Sequence, residues 1–309
     1  MKIAVIGAGI GGLASAIRLA ASGHSVAVFE KNYAPGGKIS EHRKSGFRFD
    51  TGPSLFTLPE LAGELFDICG KDIRDYLDYV RLETNCKYFF PSGTVFNFFH
   101  EKERLTKEIA DNTKEKPEKI FDRLRKSEEA YNLGAPVFLF NNFRKLSNFT
   151  TEPFRKMPSQ LHKLDFFRTM HRANSEDFDD PEISMIFDRY ATYNGSSPFR
   201  VPATLNMIAH LENNLGAFSP KRGMYSIVEA LYRLAVDAGV EFRLGEKVEK
   251  IIVKDRLAAA VKTAVTEFPV DAVVCAVDAR YAAENLFEYH PIKKRLNRAE
   301  PSSSAMIFY

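Results

Sequence analysis

The chain has 309 residues, of which 45% are hydrophobic, 12% aromatic and 27% charged, with a formal net charge of +3. That length exceeds one ordinary domain and can bury a sizeable core, so two subdomains are expected. So small a net charge gives no argument for nucleic acid as a partner, and no apolar run is long enough to span a bilayer.

Three widely spaced cysteines, Cys69, Cys86 and Cys275, fit a reducing cytosol and buried packing roles, and neither a disulfide framework nor a metal site. Met1 leads straight into the first strand, so no signal peptide is expected.

An apolar strand Lys2–Ile6 is followed by Gly7-x-Gly9-x-x-Gly12, an alanine-rich helix, a second strand Ser25–Phe29 and then Glu30. This order predicts a dinucleotide-binding βαβ unit, because a pyrophosphate approaches a backbone closely only where side chains are missing and helix N–H groups face it. Glu30 stands where a carboxylate accepts from ribose hydroxyls, which favours a 2′-hydroxyl over a 2′-phosphate and argues against NADP. The fingerprint alone does not separate NAD from FAD.

The stretch Asn32-Tyr33-Ala34-Pro35-Gly36-Gly37-Lys38 adds a second glycine pair and a cation. A second close backbone approach suits the pyrophosphate of a longer, bent cofactor; the plainer alternative is a Pro-Gly turn with a solvated lysine. Gly46 to Ser54 reads as a short strand running into a tight turn, a candidate loop on the flavin side.

Further along, a helical segment Leu58–Ile73 and strands near Arg81–Tyr88 and Val95–Phe99 are expected. Lys102 to Arg125 is charged, with Leu105, Ile109, Ile120 and Leu124 at helical spacing, and is expected to be a solvated helical region. From Pro136 to Arg172 seven phenylalanines, Phe138, Phe140, Phe143, Phe149, Phe154, Phe166 and Phe167, are interleaved with Arg144, Lys145, Arg155, Lys156, Lys163, Arg168 and Arg172. Such a segment meets a membrane surface with rings in the acyl boundary and cations at headgroups. It equally describes a helical domain whose rings line a core or tunnel, and the sequence leaves both open. Gly223 opens a turn before a helix Ser226–Ala238; strands Val240–Leu244 and Lys247–Val253 follow, and Asp271–Asp278 is an apolar strand expected to lie buried in a sheet with its flanking acids as caps.

The segments AVIGAGIGGLASAIRLA, FEKNYAPGGKIS, GFRFDTGPSLFTLP, YNGSSPFRVPATLNMIAHLENNLGAF and SPKRGMYSIVEAL together resemble the FAD-dependent carotenoid desaturases of the phytoene dehydrogenase type, and most closely the bacterial hydroxycarotenoid 3,4-desaturases. The opening motifs are shared with amine oxidases. The resemblance implies an α/β fold: a Rossmann-like FAD-binding domain of the amine-oxidase type with an inserted α+β substrate- and membrane-binding domain. Residues 1–80 and 216–290 would bind FAD, 81–215 would meet substrate and membrane, and 291–309 would begin a substrate-domain strand. It places Gly7, Gly9, Ile10, Gly11, Gly12, Glu30, Lys31, Gly36, Gly37 and Lys38 on the ADP half of FAD, Gly52, Pro53 and Ser54 nearer the flavin, and the Val248 backbone on adenine, where a core valine is the alternative. Family members commonly have a second glycine at the position of Arg222, so flavin contact by that loop is in doubt.

No Ser-His-Asp order, metal-ligand spacing or carboxylate pair presents itself, and the seven histidines are scattered. That suits a flavin desaturase, in which the cofactor accepts hydride and the protein positions the polyene. The resemblance implies oxidation of a C–C single bond in an acyclic carotenoid, phytoene or a hydroxylated one, with oxygen or a quinone as electron acceptor and a cytoplasmic, peripherally membrane-associated protein. The base is not identified. Other classes remain: another flavin oxidoreductase, a carotenoid isomerase, or an inactive remnant. Ser302–Tyr309 reads as a strand that stops mid-element, whereas family members continue into a further flavin-contacting segment, so truncation and weak FAD retention are expected.

Overall fold

The computed structural model describes residues 1–140, 150–287 and 293–301, so the expected strand at Ser302–Tyr309 lies outside the described residues. The chain forms two compact units, one from residues 1–80 with 218–300 and the other chiefly from 81–217.

The first unit is built on β1 (Lys2–Ile6), α1 (Ile10–Ala21) and β2 (Ser25–Glu30). Strands β1 and β2 pair in parallel, flanked by Ala272–Cys275 beside β1 and Glu241–Leu244 beside β2. Ile3 to Ile6 are all buried because both faces of the sheet are covered. Val5 and Val28 face a cluster with Leu13 and Ile17 of α1 and Val228, Leu231 and Leu234 of the helix Tyr225–Asp237. Their neighbours Ala4, Ile6 and Phe29 face the opposite cluster with Val248, Ile251 and Val261, as the two-residue period of a strand requires. That second layer is an antiparallel sheet of Val248–Lys254, Leu257–Thr263 and Glu267–Pro269.

The helix expected over Leu58–Ile73 spans only Pro59–Asp67, because Gly70 at φ +67° ends it, with the Lys71 N–H donating back to the Phe66 carbonyl at 3.0 Å. The strand expected within Asp271–Asp278 exists as Ala272–Cys275, but among the described residues it is the outer strand of its sheet and is only half-buried. Cys275 is exposed and Cys69 and Cys86 are half-buried, so the three are not uniformly core residues. An apolar run reports which faces are covered, not the lateral place of a strand. Of the flanking acids, Asp278 does cap a helical turn, accepting from the Tyr281 N–H at 2.8 Å, whereas Asp271 accepts from the Lys2 N–H at 2.7 Å and fastens the start of β1.

In the second unit, the hairpin Thr84–Phe89 and Val95–Phe99 packs with the helices Lys102–Asn112 and Pro117–Phe138. Pro117 starts the second helix after a break, which divides the single charged region expected from sequence. Leu105, Ile109, Ile120 and Leu124 are buried with Phe96, Phe98, Phe178, Phe187 and Tyr190, so only one side of each helix is solvated. A polar knot crosses this core: Arg189 pairs with Glu212, which also accepts from Tyr193, while Arg189 Nε donates to the Tyr88 hydroxyl at 3.0 Å. Glu212 lies in a π-helical turn, His210–Leu215.

Candidate functional site

The glycines at the start of the chain are placed by contact rather than by taste. A Cβ added to Gly12 would lie 1.9 Å from the Gly7 carbonyl oxygen, so α1 packs against the end of β1 only with hydrogen at that position. Gly7 itself adopts φ +98°. Gly9 precedes α1 in extended conformation, without a side-chain cap and with no acidic residue in the first turn. The leading N–H groups of α1 are therefore available to an anion.

The second glycine pair closes on the first loop. Gly36 donates its N–H to the Ala8 carbonyl at 2.8 Å, and a Cβ on Gly37 would meet Gly9 Cα at 3.2 Å. The two backbones thus meet closely, with Gly37 at φ +60°.

Glu30, at the end of β2, is 6% exposed, and both its carboxylate oxygens are oriented by backbone donors. Oε2 accepts from the Ala8 N–H at 2.8 Å and Oε1 from the Asn32 N–H at 2.9 Å. Each oxygen keeps a further lone pair for an incoming hydroxyl.

These residues border one cavity of about 740 Å³ at the carboxyl ends of β1 and β2. Of the residues expected at the cofactor, Gly7, Gly9, Ile10, Gly11, Glu30, Lys31, Gly36, Gly37, Lys38 and Val248 line it together. Four do not: Gly12 serves the packing described above, and Gly52, Pro53 and Ser54 lie off the cavity wall. Gly52 instead presses on the Lys38 backbone, where an added Cβ would fall 2.3 Å from the carbonyl oxygen.

Part of the wall comes from a segment that the sequence does not mark as a site. Ala276, Val277, Asp278 and Tyr281 follow the strand Ala272–Cys275, and the Ala276 N–H donates to the Ile6 carbonyl at 2.9 Å, which sets this segment beside Gly7. The available signal was positional: ligands in parallel sheets sit beyond the carboxyl ends of neighbouring strands. Strand order, however, is not written in local sequence.

At the end of the strand Phe47–Asp50, Asp50 Oδ1 accepts from Arg48 at 2.6 Å and, at 3.1 Å, from the N–H of Met224 on the loop before the helix Tyr225–Asp237. Gly223 itself adopts φ +88°, a conformation that favours glycine. Arg222 turns to Glu229 at 2.9 Å. Among the described residues no group of three or more His, Cys, Asp or Glu could hold a metal ion, and no helix is long and apolar enough to cross a membrane.

A βαβ unit with paired glycine loops and a buried acid defines a dinucleotide-binding protein. The family described as flavin containing amine oxidoreductase matches residues 10–305, and the chain belongs to it. The chain is 35% identical to a 1-hydroxycarotenoid 3,4-desaturase of Flavobacterium sp. (strain P99-3), over 100% of its own length and 63% of that protein's. It is 33% identical to a 4,4'-diapolycopene oxygenase of Methylomonas sp, over 100% of the chain and 62% of the relative. Among solved structures it is similar to a putrescine oxidase redesigned in its cofactor binding (TM-score 0.63, 16% identity, 98% of this chain and 64% of that one) and to a fatty acid isomerase from P. acnes (TM-score 0.59, 14% identity, 95% and 62%). The chain therefore spans somewhat under two thirds of the length of these proteins.

The cofactor is FAD, and the residues present fit its ADP half: a helix N-terminus without a cap, glycines that leave room for a pyrophosphate, and a buried carboxylate on the cavity wall that could accept from ribose hydroxyls.

Proposed function

We propose that this chain carries out FAD-dependent desaturation of an acyclic carotenoid, with the first unit holding the cofactor and the second meeting substrate and membrane. The observation that carries the reading is the Glu30 carboxylate, buried and doubly anchored on the wall of the 740 Å³ cavity beside the uncapped start of α1. The names of the two relatives above supply the substrate class, and their identity runs along the whole chain.

Glu30 binds the adenosine ribose, the α1 N–H groups and Lys38 take the pyrophosphate, and the Val248 backbone meets adenine, with Ile10 and Lys31 beside them. Gly52, Pro53 and Ser54 belong to the flavin side. When bound, FAD would supply the acceptor for a hydride from an allylic carbon. What this chain contributes is cofactor position and an apolar surface for the polyene.

A membrane surface accounts for the apolar rings of the second unit. Phe167 is fully exposed, Leu161 and Phe166 are exposed in the same stretch of sequence as the cations Arg155, Lys163 and Arg172, and Phe199 is exposed as well. Phe143, Arg144, Lys145 and Phe149, and the side chains of Phe138 and Lys156, lie outside the described residues. The protein then binds the cytoplasmic face peripherally, and oxygen or a quinone takes the electrons.

Coexpression with phytoene and, separately, with a hydroxylated acyclic carotenoid tests the reading. A product with one more double bond in either supports it. No net oxidation of either, with turnover only under reduced flavin, points to an isomerase instead; no change at all overturns the proposed activity.

A further inference from the structure

The helix Tyr225–Asp237 begins within reach of the second glycine loop, and nothing in the proposed reaction uses its first side chain. The Tyr225 hydroxyl donates to the Pro35 carbonyl at 3.0 Å, across 190 residues of sequence. In that same peptide unit the Gly36 N–H donates to the Ala8 carbonyl at 2.8 Å. A peptide unit is planar, so a bond at each end sets the orientation of the whole plane. One end is held by the helix and the other by the first glycine loop.

The loop needs such a hold. Gly36 and Gly37 lie at φ +128° and +60°, and a glycine's own torsions restrain it less than those of any other residue. The Tyr225 ring comes close enough that a Cβ on Gly36 would fall 3.1 Å from its Cε2. That ring is itself anchored, half-buried against the cluster that contains Leu13, Val228 and Leu231. Burial, followed by the charges of Glu229 and Glu41, raises the phenol above its ordinary range and so keeps the donor protonated. Gly36, Gly37 and Lys38 line the 740 Å³ cavity, whereas Tyr225 stands off its wall and acts through them.

We propose that Tyr225 is a positioning residue for the cofactor: through the Pro35–Gly36 peptide it keeps the second glycine loop docked on the first, in the shape that receives the pyrophosphate. The inference rests on the reading of this cavity as the site of the ADP half of FAD. It gives the segment SPKRGMYSIVEAL a part in the site that requires no contact with the flavin. Without the hydroxyl the loop is docked for a smaller fraction of the time, and a ligand that needs the docked form binds more weakly by the same factor.

Tyr225→Phe keeps the ring and deletes the donor, so calorimetric titration of the whole chain and this variant with ADP and with adenosine tests the role. ADP is expected to bind the variant about fivefold more weakly, the worth of one neutral hydrogen bond. Adenosine, which has no pyrophosphate, should bind both proteins equally, and hydrogen exchange at the Gly36 amide should quicken in the variant. An ADP affinity untouched by the substitution overturns the proposal even if the urea midpoint falls, since the hydroxyl then serves stability alone. Equal weakening of ADP and adenosine overturns it too, because the whole cavity rather than the loop is then disturbed. If Tyr225→Phe fails to fold, exchange in the wild type without ligand decides: a Gly36 amide protected like those of the helix Tyr225–Asp237 supports the proposal, and one that exchanges like an exposed loop overturns it. Failure of the wild type to bind ADP at all sinks the reading of the cavity and the proposal with it, whereas ADP binding that Tyr225→Phe leaves unchanged sinks the proposal alone.

Discussion

The backbone N–H of Ala8 donates to Glu30 Oε2 at 2.8 Å, joining the glycine loop to the end of the neighbouring strand across 22 residues of sequence. Ala8 is fully buried, so this N–H has no water to turn to. The carboxylate that would select the ribose therefore also holds the loop that would bind the pyrophosphate.

Glu30→Ala is accordingly expected to destabilise the protein even without cofactor. The orphaned Ala8 N–H costs about 1–3 kcal/mol, read as a lower urea midpoint with unchanged slope. An unchanged midpoint would show that the loop is held by its glycine contacts alone.

Two neighbouring glycines should behave oppositely. A Cβ on Gly12 collides with the Gly7 carbonyl, whereas one on Gly11 meets nothing within 4 Å. Gly12→Ala is expected to cost about 3 kcal/mol by overpacking, and Gly11→Ala to leave stability unchanged or raise it by about 0.5–1 kcal/mol through helix propensity. Thermal unfolding of the two variants separates them, and equal losses would remove the packing role given to Gly12.

In the second unit, burial holds the His210 imidazole below its ordinary pKa, and its Nδ1 faces the Asn214 amide nitrogen at 2.8 Å, a geometry that asks it to accept. His100 shifts the same way, through burial and then Arg81. A depressed folded pKa means that the unfolded chain binds the proton first, so this stability is present above about pH 6.5 and is lost as pH falls below it. Melting temperature should drop over that window, and His210→Gln should flatten the drop; a slope untouched by the variant would assign the loss to other groups.

Glu212 is fully buried against Arg189, and burial followed by the Glu212 charge raises the Tyr190 and Tyr193 phenols well above their usual range. Glu212→Gln is expected to cost about 3 kcal/mol, because it strands a largely desolvated guanidinium. The double variant Arg189→Met with Glu212→Leu should cost less than Arg189→Met alone. A strictly additive cycle by chemical denaturation would mean that the pair is not coupled.

The part of the site that could be read beforehand was the part made by local chemistry. Strands β1 and β2 announce themselves because both faces are covered, and the glycines announce the turn between strand and helix. What stayed hidden depends on distant pairing. Ala276 to Asp278 line the cavity only because their strand lies beside β1, and the sequence of that strand does not state its neighbour. The hairpin linking Val248–Lys254 to Leu257–Thr263 turns on Asp255 and Arg256, both at positive φ (49° and 65°), without the Asn-Gly or Gly that usually marks such a turn. The strand Glu41–Lys44, with sequence EHRK, has no apolar residue to betray it. Likewise the Arg189–Glu212 pair joins residues whose partnership appears only once the core has closed.

The most direct measurement is a competition titration of this chain with ADP, FMN, FAD and adenosine 2′,5′-bisphosphate. ADP and FAD are predicted to bind and to displace one another, FMN not to compete, and the 2′-phosphorylated nucleotide to bind at least about tenfold more weakly, because its phosphate meets Glu30. FMN binding as well as FAD, or a 2′-phosphate tolerated as well as a hydroxyl, would contradict the assignment of this cavity to the ADP half of FAD.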